Sequence, residues 1–326
     1  MPKSIDEHGC EKVAASGLDF TFVNKKPGNP SRLARECFDS LVVELRMINA
    51  VEASIETRLF GETFASPVMP AALSGLDRLR PGGLVDAADA AKAAGVPVWI
   101  GVGEEDELRR VVDTGAKAIK VLKPVRNTEA VLDWIGKAQR SGVMAVGMDV
   151  SFGFGMKNGY APEPVRPQSL ADLRAYVAAT SLPFIVKGVL SVQDAQKALD
   201  AGAKGIVVSN QGGTVLDWTA PPLMVLPDIV KTVGARIPVF LDGGVAGGLD
   251  AYKAVALGAD GVCVGGALLP ALAAEGAAGV KKTLAAFSSE LRRAVSMTGF
   301  SSLAAVDASA LRSVSPWGGK FLVQCD

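Results

Sequence analysis

Lys187 follows Pro183-Phe184-Ile185-Val186, so an ammonium group ends an otherwise apolar run. A cation so placed needs a partner or a task. It can pair with Asp149 or Asp242, hold an anionic ligand or cofactor, or form a Schiff base. Two glycine pairs, Gly243-Gly244 after Asp242 and Gly265-Gly266, close two later apolar runs. Glycine lets backbone N–H groups approach an anion, and the turns after the last two strands of a βα barrel are where phosphate commonly binds. The plainer reading is two tight turns. Lys123, before Pro124, and Asp149 close two earlier runs and offer an ammonium and a carboxylate for ion pairing or proton transfer. Ser209-Asn210-Gln211-Gly212-Gly213 adds hydroxyl, amide and glycine groups, while Pro70-Ala71-Ala72 and Gly101 close the first two runs. Phe152, Phe154, Met156 and Tyr160 read either as an aromatic lid over a planar ligand or as ordinary loop packing.

Other chemistries drop out. The single histidine, His8, sits in a polar segment, which removes Ser-His-Asp, Cys-His and His-rich metal sites. Cys10, Cys37, Cys263 and Cys325 lie far apart, form no metal-ligand spacing, and fit free thiols in a reduced cytoplasm. Lys+Arg and Asp+Glu are both 34, and a zero balance argues against a nucleic-acid partner. Neither a leader-like apolar core nor a membrane-length apolar run is present, so a cytoplasmic protein acting on a small molecule is expected.

The elements that must hold these groups recur. Apolar runs at 67–72, 97–102, 118–122, 144–150, 183–189, 205–209, 238–242 and 261–265 are short, rich in Val and Ile, and read as parallel strands buried on both faces. Helical stretches lie between them. Asn127, Ser169 with Asp172, and Ser191 with Asp194 mark helix starts; Gly142 and Gly202 mark ends. A βα unit repeated eight times predicts an α/β fold, a (β/α)8 TIM barrel with a short N-terminal helical and hairpin extension. The expected organisation is an extension over residues 1–66 capping the barrel, a cofactor-binding barrel over 67–305, and a tail over 306–326. Within the extension, 31–46 reads as one helix or two, and 54–59, 61–62 and 63–65 as a short hairpin capping the barrel floor.

The ordered motifs Pro183-Phe184-Ile185-Val186-Lys187-Gly188-Val189-Leu190, Gly205-Ile206-Val207-Val208-Ser209-Asn210, Leu226-Pro227-Asp228-Ile229-Val230 and Ile237-Pro238-Val239-Phe240-Leu241-Asp242-Gly243-Gly244 resemble the FMN-dependent α-hydroxy acid oxidases and dehydrogenases. Pro70-Ala71-Ala72 and Leu59-Phe60-Gly61 fit the same pattern earlier in the chain. The resemblance implies FMN in a TIM barrel, with Pro70, Ala71, Ala72, Gly101 and Lys123 near the flavin and Lys187 facing its N1/C2 oxygen edge. It places Ser209, Gln211, Gly212 and Gly213 beside the ring or ribityl chain. Asp242, Gly243, Gly244, Gly265 and Gly266 would line the ribityl phosphate. It also implies a homo-oligomer, a tetramer. Lys187, Gln211, Lys123 and Asp149 are the candidate catalytic residues, and a proton acceptor is expected among Lys123, Asp149, Lys157 and Tyr160.

The departures from the family pattern bear on substrate. Where the family has its base histidine, this chain has Gln211, which cannot titrate near neutrality. Thr214 stands where an arginine grips the substrate carboxylate, and Ala246 and Gly266 stand where phosphate-side arginines are usual. These differences predict an oxidoreductase with altered substrate specificity. Two alternatives are a flavin-dependent isomerase of the type 2 isopentenyl diphosphate kind and a lapsed barrel that binds a phosphorylated ligand.

Overall fold

The computed structural model describes residues 11–16, 28–101, 105–155 and 164–314. His8, Cys10, Met156, Lys157, Tyr160 and Cys325 lie outside the described residues.

Eight strands form one sheet: β1 (Val68–Pro70), β2 (Val98–Ile100), β3 (Ala118–Leu122), β4 (Ala145–Asp149), β5 (Phe184–Val189), β6 (Gly205–Ser209), β7 (Val239–Asp242) and β8 (Gly261–Val264). The recorded neighbours in that sheet are parallel, and β8 pairs with β1. Closure between β1 and β2 comes just past the end of β1, where Leu73 bridges Ile100 and the Gly101 N–H donates to Leu73 O at 3.3 Å. The eight strand runs expected from sequence are therefore the strands of a (β/α)8 barrel. Several stop short of the predicted limits because Pro67, Pro97, Pro183 and Pro238 have no N–H to give a ladder.

The helices that follow are α1 (Gly83–Ala93), α2 (Glu105–Asp113), α3 (Thr128–Arg140), α4 (Leu170–Ala178), α5 (Val192–Asp200), α6 (Pro222–Val233), α7 (Gly248–Ala256) and α8 (Ala277–Met297). Asn127 Oδ1 accepts from two amides of α3, and Ser191 Oγ accepts from Asp194 N in α5. Ser169 and Asp172 form the reciprocal capping box of α4. Inside the barrel, Trp99 donates to Met69 Sδ at 2.8 Å and meets Phe240 edge-on at 5.0 Å. Such aromatic pairs add about 0.5–1.5 kcal/mol to the burial itself. No described helix is long and apolar enough to cross a membrane.

The hairpin pairs Thr57–Leu59 with Glu62–Phe64 across Phe60-Gly61, both at positive φ. Phe60 lies 6.2 Å from Phe240, and Thr57 Oγ1 donates to Asp260 O just before β8, so the hairpin covers the strands' N-terminal end. The 31–46 expectation is corrected. The helix runs over Pro30–Asp39, and Leu41–Val43 turns into a strand antiparallel to Leu311–Ser313. β-branched Val42 and Val43 take extended backbone when a partner strand is offered.

Candidate active site

The carboxyl ends of β3 to β7 and the turns after them bring seven polar side chains into one hydrogen-bonded cluster. β4 and β5 are in register at Asp149 and Lys187, and β6 and β7 at Ser209 and Asp242. Parallel partners in register point the same way, so alternate residues of these strands deliver side chains to the barrel mouth. Lys187 is 3% exposed. Its ammonium donates to Asp242, to Ser209 Oγ at 3.1 Å and to Gln211 Oε1 at 3.2 Å. Ser209 Oγ also donates to Asp242 Oδ2 at 3.0 Å. Gln211 Nε2 donates to Asp149 Oδ1 at 2.6 Å, and Ser151 Oγ donates to the same oxygen at 2.8 Å. Lys123 Nζ lies 3.3 Å from Asp149 Oδ2 and 3.3 Å from the centre of the Phe152 ring.

The two lysines differ. Burial disfavours the Lys187 ammonium, but the charges of Asp242 and Asp149 outweigh it and lift its pKa above the ordinary lysine value. Burial also acts on Lys123; Asp149 offsets it only in part, the Lys187 charge opposes it, and the result lies below the ordinary value. Cys263, on β8, is pushed well above the usual thiol range by burial, with Asp242 adding to the effect.

Backbone geometry fixes the cluster. A bulge separates Lys187 from Val189, and Gly188 between them takes φ +89°. A Cβ there would lie 2.7 Å from Ser151 Oγ and 3.0 Å from Asp149 Oδ1. Gln211 itself takes φ +55°, uncommon for a residue with a Cβ and costing about 1 kcal/mol or more. Its two amide ends, one on Asp149 and one on Lys187, offset that strain.

Gly213 is packed against Pro30, and Ser31 Oγ donates to Gly212 O at 2.9 Å, so the helix Pro30–Asp39 braces this turn. Thr214 Oγ1 folds back onto Gln211 O at 2.9 Å. Gly243 and Gly244 have φ of +122° and +78°, and a Cβ on Gly244 would lie 2.8 Å from Ala34 Cβ. Gly265 and Gly266 are half-buried beyond β8, and a Cβ on Gly265 would approach Ala71 and Leu73.

Sequence reasoning missed Arg35. Its guanidinium grips Asp250 with two bonds of 2.6 and 2.8 Å, lies 3.4 Å from Gly244 O, and places a cation at the turn after β7. Asp250 also accepts from Ala246 N at 2.9 Å. The partner of Arg35 lies 215 residues away, so no local pattern in the sequence announces the pair.

Comparison with known proteins decides the family. The profile described as FMN-dependent dehydrogenase matches residues 18–158 and 155–313. The chain belongs to that family. Among its relatives are the glycolate oxidase of Spinacia oleracea, 30% identical over 87% of this chain and 87% of that protein, and the 4-hydroxymandelate oxidase of Amycolatopsis orientalis, 31% identical over 89% and 92%. A solved structure of mandelate oxidase superimposes with a TM-score of 0.86 at 30% identity, covering 95% of this chain and 96% of that one. This FMN-dependent dehydrogenase family member is an FMN-dependent oxidoreductase, and the isomerase and lapsed-barrel alternatives are not favoured.

Its residues fit the cofactor. A buried ammonium stands at the mouth, Pro70 and Ala71 lie at the end of β1 beside Gly265 at the end of β8, and turns without side chains follow β7 and β8. Asn210 Nδ2 is buried and has no hydrogen-bond partner among the described residues, while Asn210 Oδ1 would lie 3.1 Å from a Cβ on Gly243. An unsatisfied donor beside a glycine turn suits a polar ligand passing there.

Proposed function

We propose that this FMN-dependent oxidoreductase oxidises a small substrate of the 2-hydroxy acid type with a specificity altered from that of its relatives. The observation that carries this reading is the amide of Gln211 fixed between Asp149 and Lys187, where a titrating base would otherwise stand. The lysine that can steady negative charge is kept, while the proton acceptor and the carboxylate grip at Thr214 are changed.

FMN, when bound, supplies the two-electron acceptor. Lys187, held charged by Asp242, opposes negative charge at the edge of the ring. Ser209 and Gln211 hold that ammonium in place. Pro70, Ala71, Ala72 and Gly101 would border the ring, Gly212 and Gly213 would shape the turn beside it, and Gly243, Gly244, Gly265 and Gly266 would receive the phosphate end with backbone N–H groups. Arg35 braces the turn at Gly244. A homotetramer in the cytoplasm completes the reading.

The test is the visible spectrum of the protein as purified, followed by anaerobic mixing with glycolate, lactate and mandelate. A yellow protein bleached by one of them supports the reading. A protein that takes up no FMN overturns the cofactor assignment, and a flavin that none of the three bleaches overturns the substrate class.

A further inference from the structure

At the barrel mouth Gln211 stands where the family pattern has a histidine, yet oxidation of an alcohol still releases a hydroxyl proton. The described groups can be taken in turn. Gln211 does not titrate. Both oxygens of Asp149, which is 2% exposed, are committed: Oδ1 to Gln211 and Ser151, Oδ2 to Lys123. Lys187 is enclosed by Asp242, Ser209 and Gln211. Asp242 is the counter-ion that keeps Lys187 charged, and Ser209 donates to it as well. Lys123 remains. Its side chain is 16% exposed, its ammonium has a single carboxylate partner, and the face of Phe152 covers one side.

We infer that Lys123 is the catalytic base, taking the substrate's hydroxyl proton while Asp149 holds the ammonium that results. The inference rests on the oxidoreductase reading above. In the step, the O–H bond breaks and its proton passes to neutral Lys123 Nζ. The C–H bond breaks and its electron pair leaves with the hydride for the family's oxidant, FMN, so the alcohol becomes a carbonyl compound. Asp149 and Lys123 thus act as a carboxylate–amine pair, the carboxylate favouring the protonated product of the transfer. The charged groups that bear on Lys123 are Asp149 on β4 and Lys187 on β5, with Asp242 on β7 behind Lys187. Burial and the Lys187 charge ease loss of the Lys123 proton, so the neutral amine is more accessible than on a surface lysine.

Two measurements on the flavin-loaded protein test this. The first is trace labelling of amines with acetic anhydride from about pH 6 to about pH 11, read by peptide mass spectrometry for Lys123 against exposed Lys197. Labelling of Lys123 is expected to rise at lower pH than that of exposed Lys197, and Asp149→Asn is expected to move it lower still. A Lys123 profile matching Lys197, or no labelling of Lys123 at any pH, overturns the inference.

The second is the rate of anaerobic flavin bleaching with glycolate or mandelate. Lys123→Met and Lys123→Arg are both expected to slow it about 10²–10⁴-fold with flavin content unchanged. Rescue by Lys123→Arg would assign the residue to charge alone and overturn the inference. Failure to hold flavin at all is a failure of the cofactor reading, and the labelling profile, taken then on the flavin-free protein, still decides the state of Lys123.

Discussion

Lys187→Met keeps most of the side chain and removes its charge from the barrel mouth. The pair it breaks is largely out of water, with Lys187 3% and Asp242 15% exposed. Losing one partner of a buried ion pair costs about 3–5 kcal/mol. Ser209 still donates to Asp242 at 3.0 Å and part of the carboxylate reaches solvent, so the lower end, about 3 kcal/mol, is expected. At roughly 2 °C per kcal/mol in a chain of this length, melting falls by about 6 °C. Asp242→Asn leaves the ammonium with Ser209, Gln211 and a neutral amide, at a comparable cost. The double variant strands neither charge, so its loss is expected to be about 2 kcal/mol smaller than the two single losses together. Urea unfolding followed by circular dichroism on flavin-stripped protein measures all four, free of the stabilisation that ligand binding adds. Single losses that add to the double within about 0.3 kcal/mol would refute the reasoning, since the two charges would then be independent.

The bulge in β5 gives a second prediction. Gly188→Ala adds a Cβ at φ +89° within 2.7 Å of Ser151 Oγ, whereas Gly142→Ala adds one at φ +81° with nothing within 4 Å. Gly142→Ala is expected to cost about 1 kcal/mol and Gly188→Ala at least about 2 kcal/mol; equal thermal shifts would show that crowding against Ser151 contributes nothing. A third concerns acid. Two bonds from the Arg166 guanidinium, 2.7 and 2.8 Å, with the Ser169 hydroxyl and amide, hold the Asp172 carboxyl well below the usual carboxylate range. A depressed carboxyl stabilises the fold above its unfolded-state pKa and loses that contribution as pH falls. Asp172→Asn is therefore expected to cost about 1 kcal/mol at neutral pH, discounted for the pair's partial exposure, with the gap to the parent closing below about pH 4. A gap constant from pH 7 to pH 3, on the order of 1 kcal/mol throughout, would contradict it.

The barrel strands were legible because each is a local signal: a short apolar run bounded by proline or glycine. β3 and β6 coincide with the runs at 118–122 and 205–209, where no proline blurs the start. The helix caps at Asn127, Ser169 and Ser191 were legible for the same reason. Residues 41–43 misled because their partner strand lies about 270 residues on, and no local pattern announces it. The site was legible as a set of strand-end residues but not as a network. That Lys187 takes Asp242 as its ion-pair partner, while Asp149 pairs with Lys123, follows from sheet register and the Gly188 bulge. Gln211 could be recognised as an odd residue in a known pattern. That its amide would bridge partners 62 and 24 residues away could not.

The antiparallel clasp of Leu41–Val43 with Leu311–Ser313 also sets a timetable. During synthesis the first of these strands leaves the ribosome with no partner to pair with. At roughly 5–20 residues per second, its mate follows about 15–50 s later. Through that interval the edge of Leu41–Val43 is open, and so is whatever apolar surface the later segment covers. The helix Pro30–Asp39, which braces the Gly212-Gly213 turn, waits on residues made more than 170 positions after it. Early-made chain must therefore stay soluble while half-assembled, and the edge of Leu41–Val43 is open to misassociation until Leu311–Ser313 emerges.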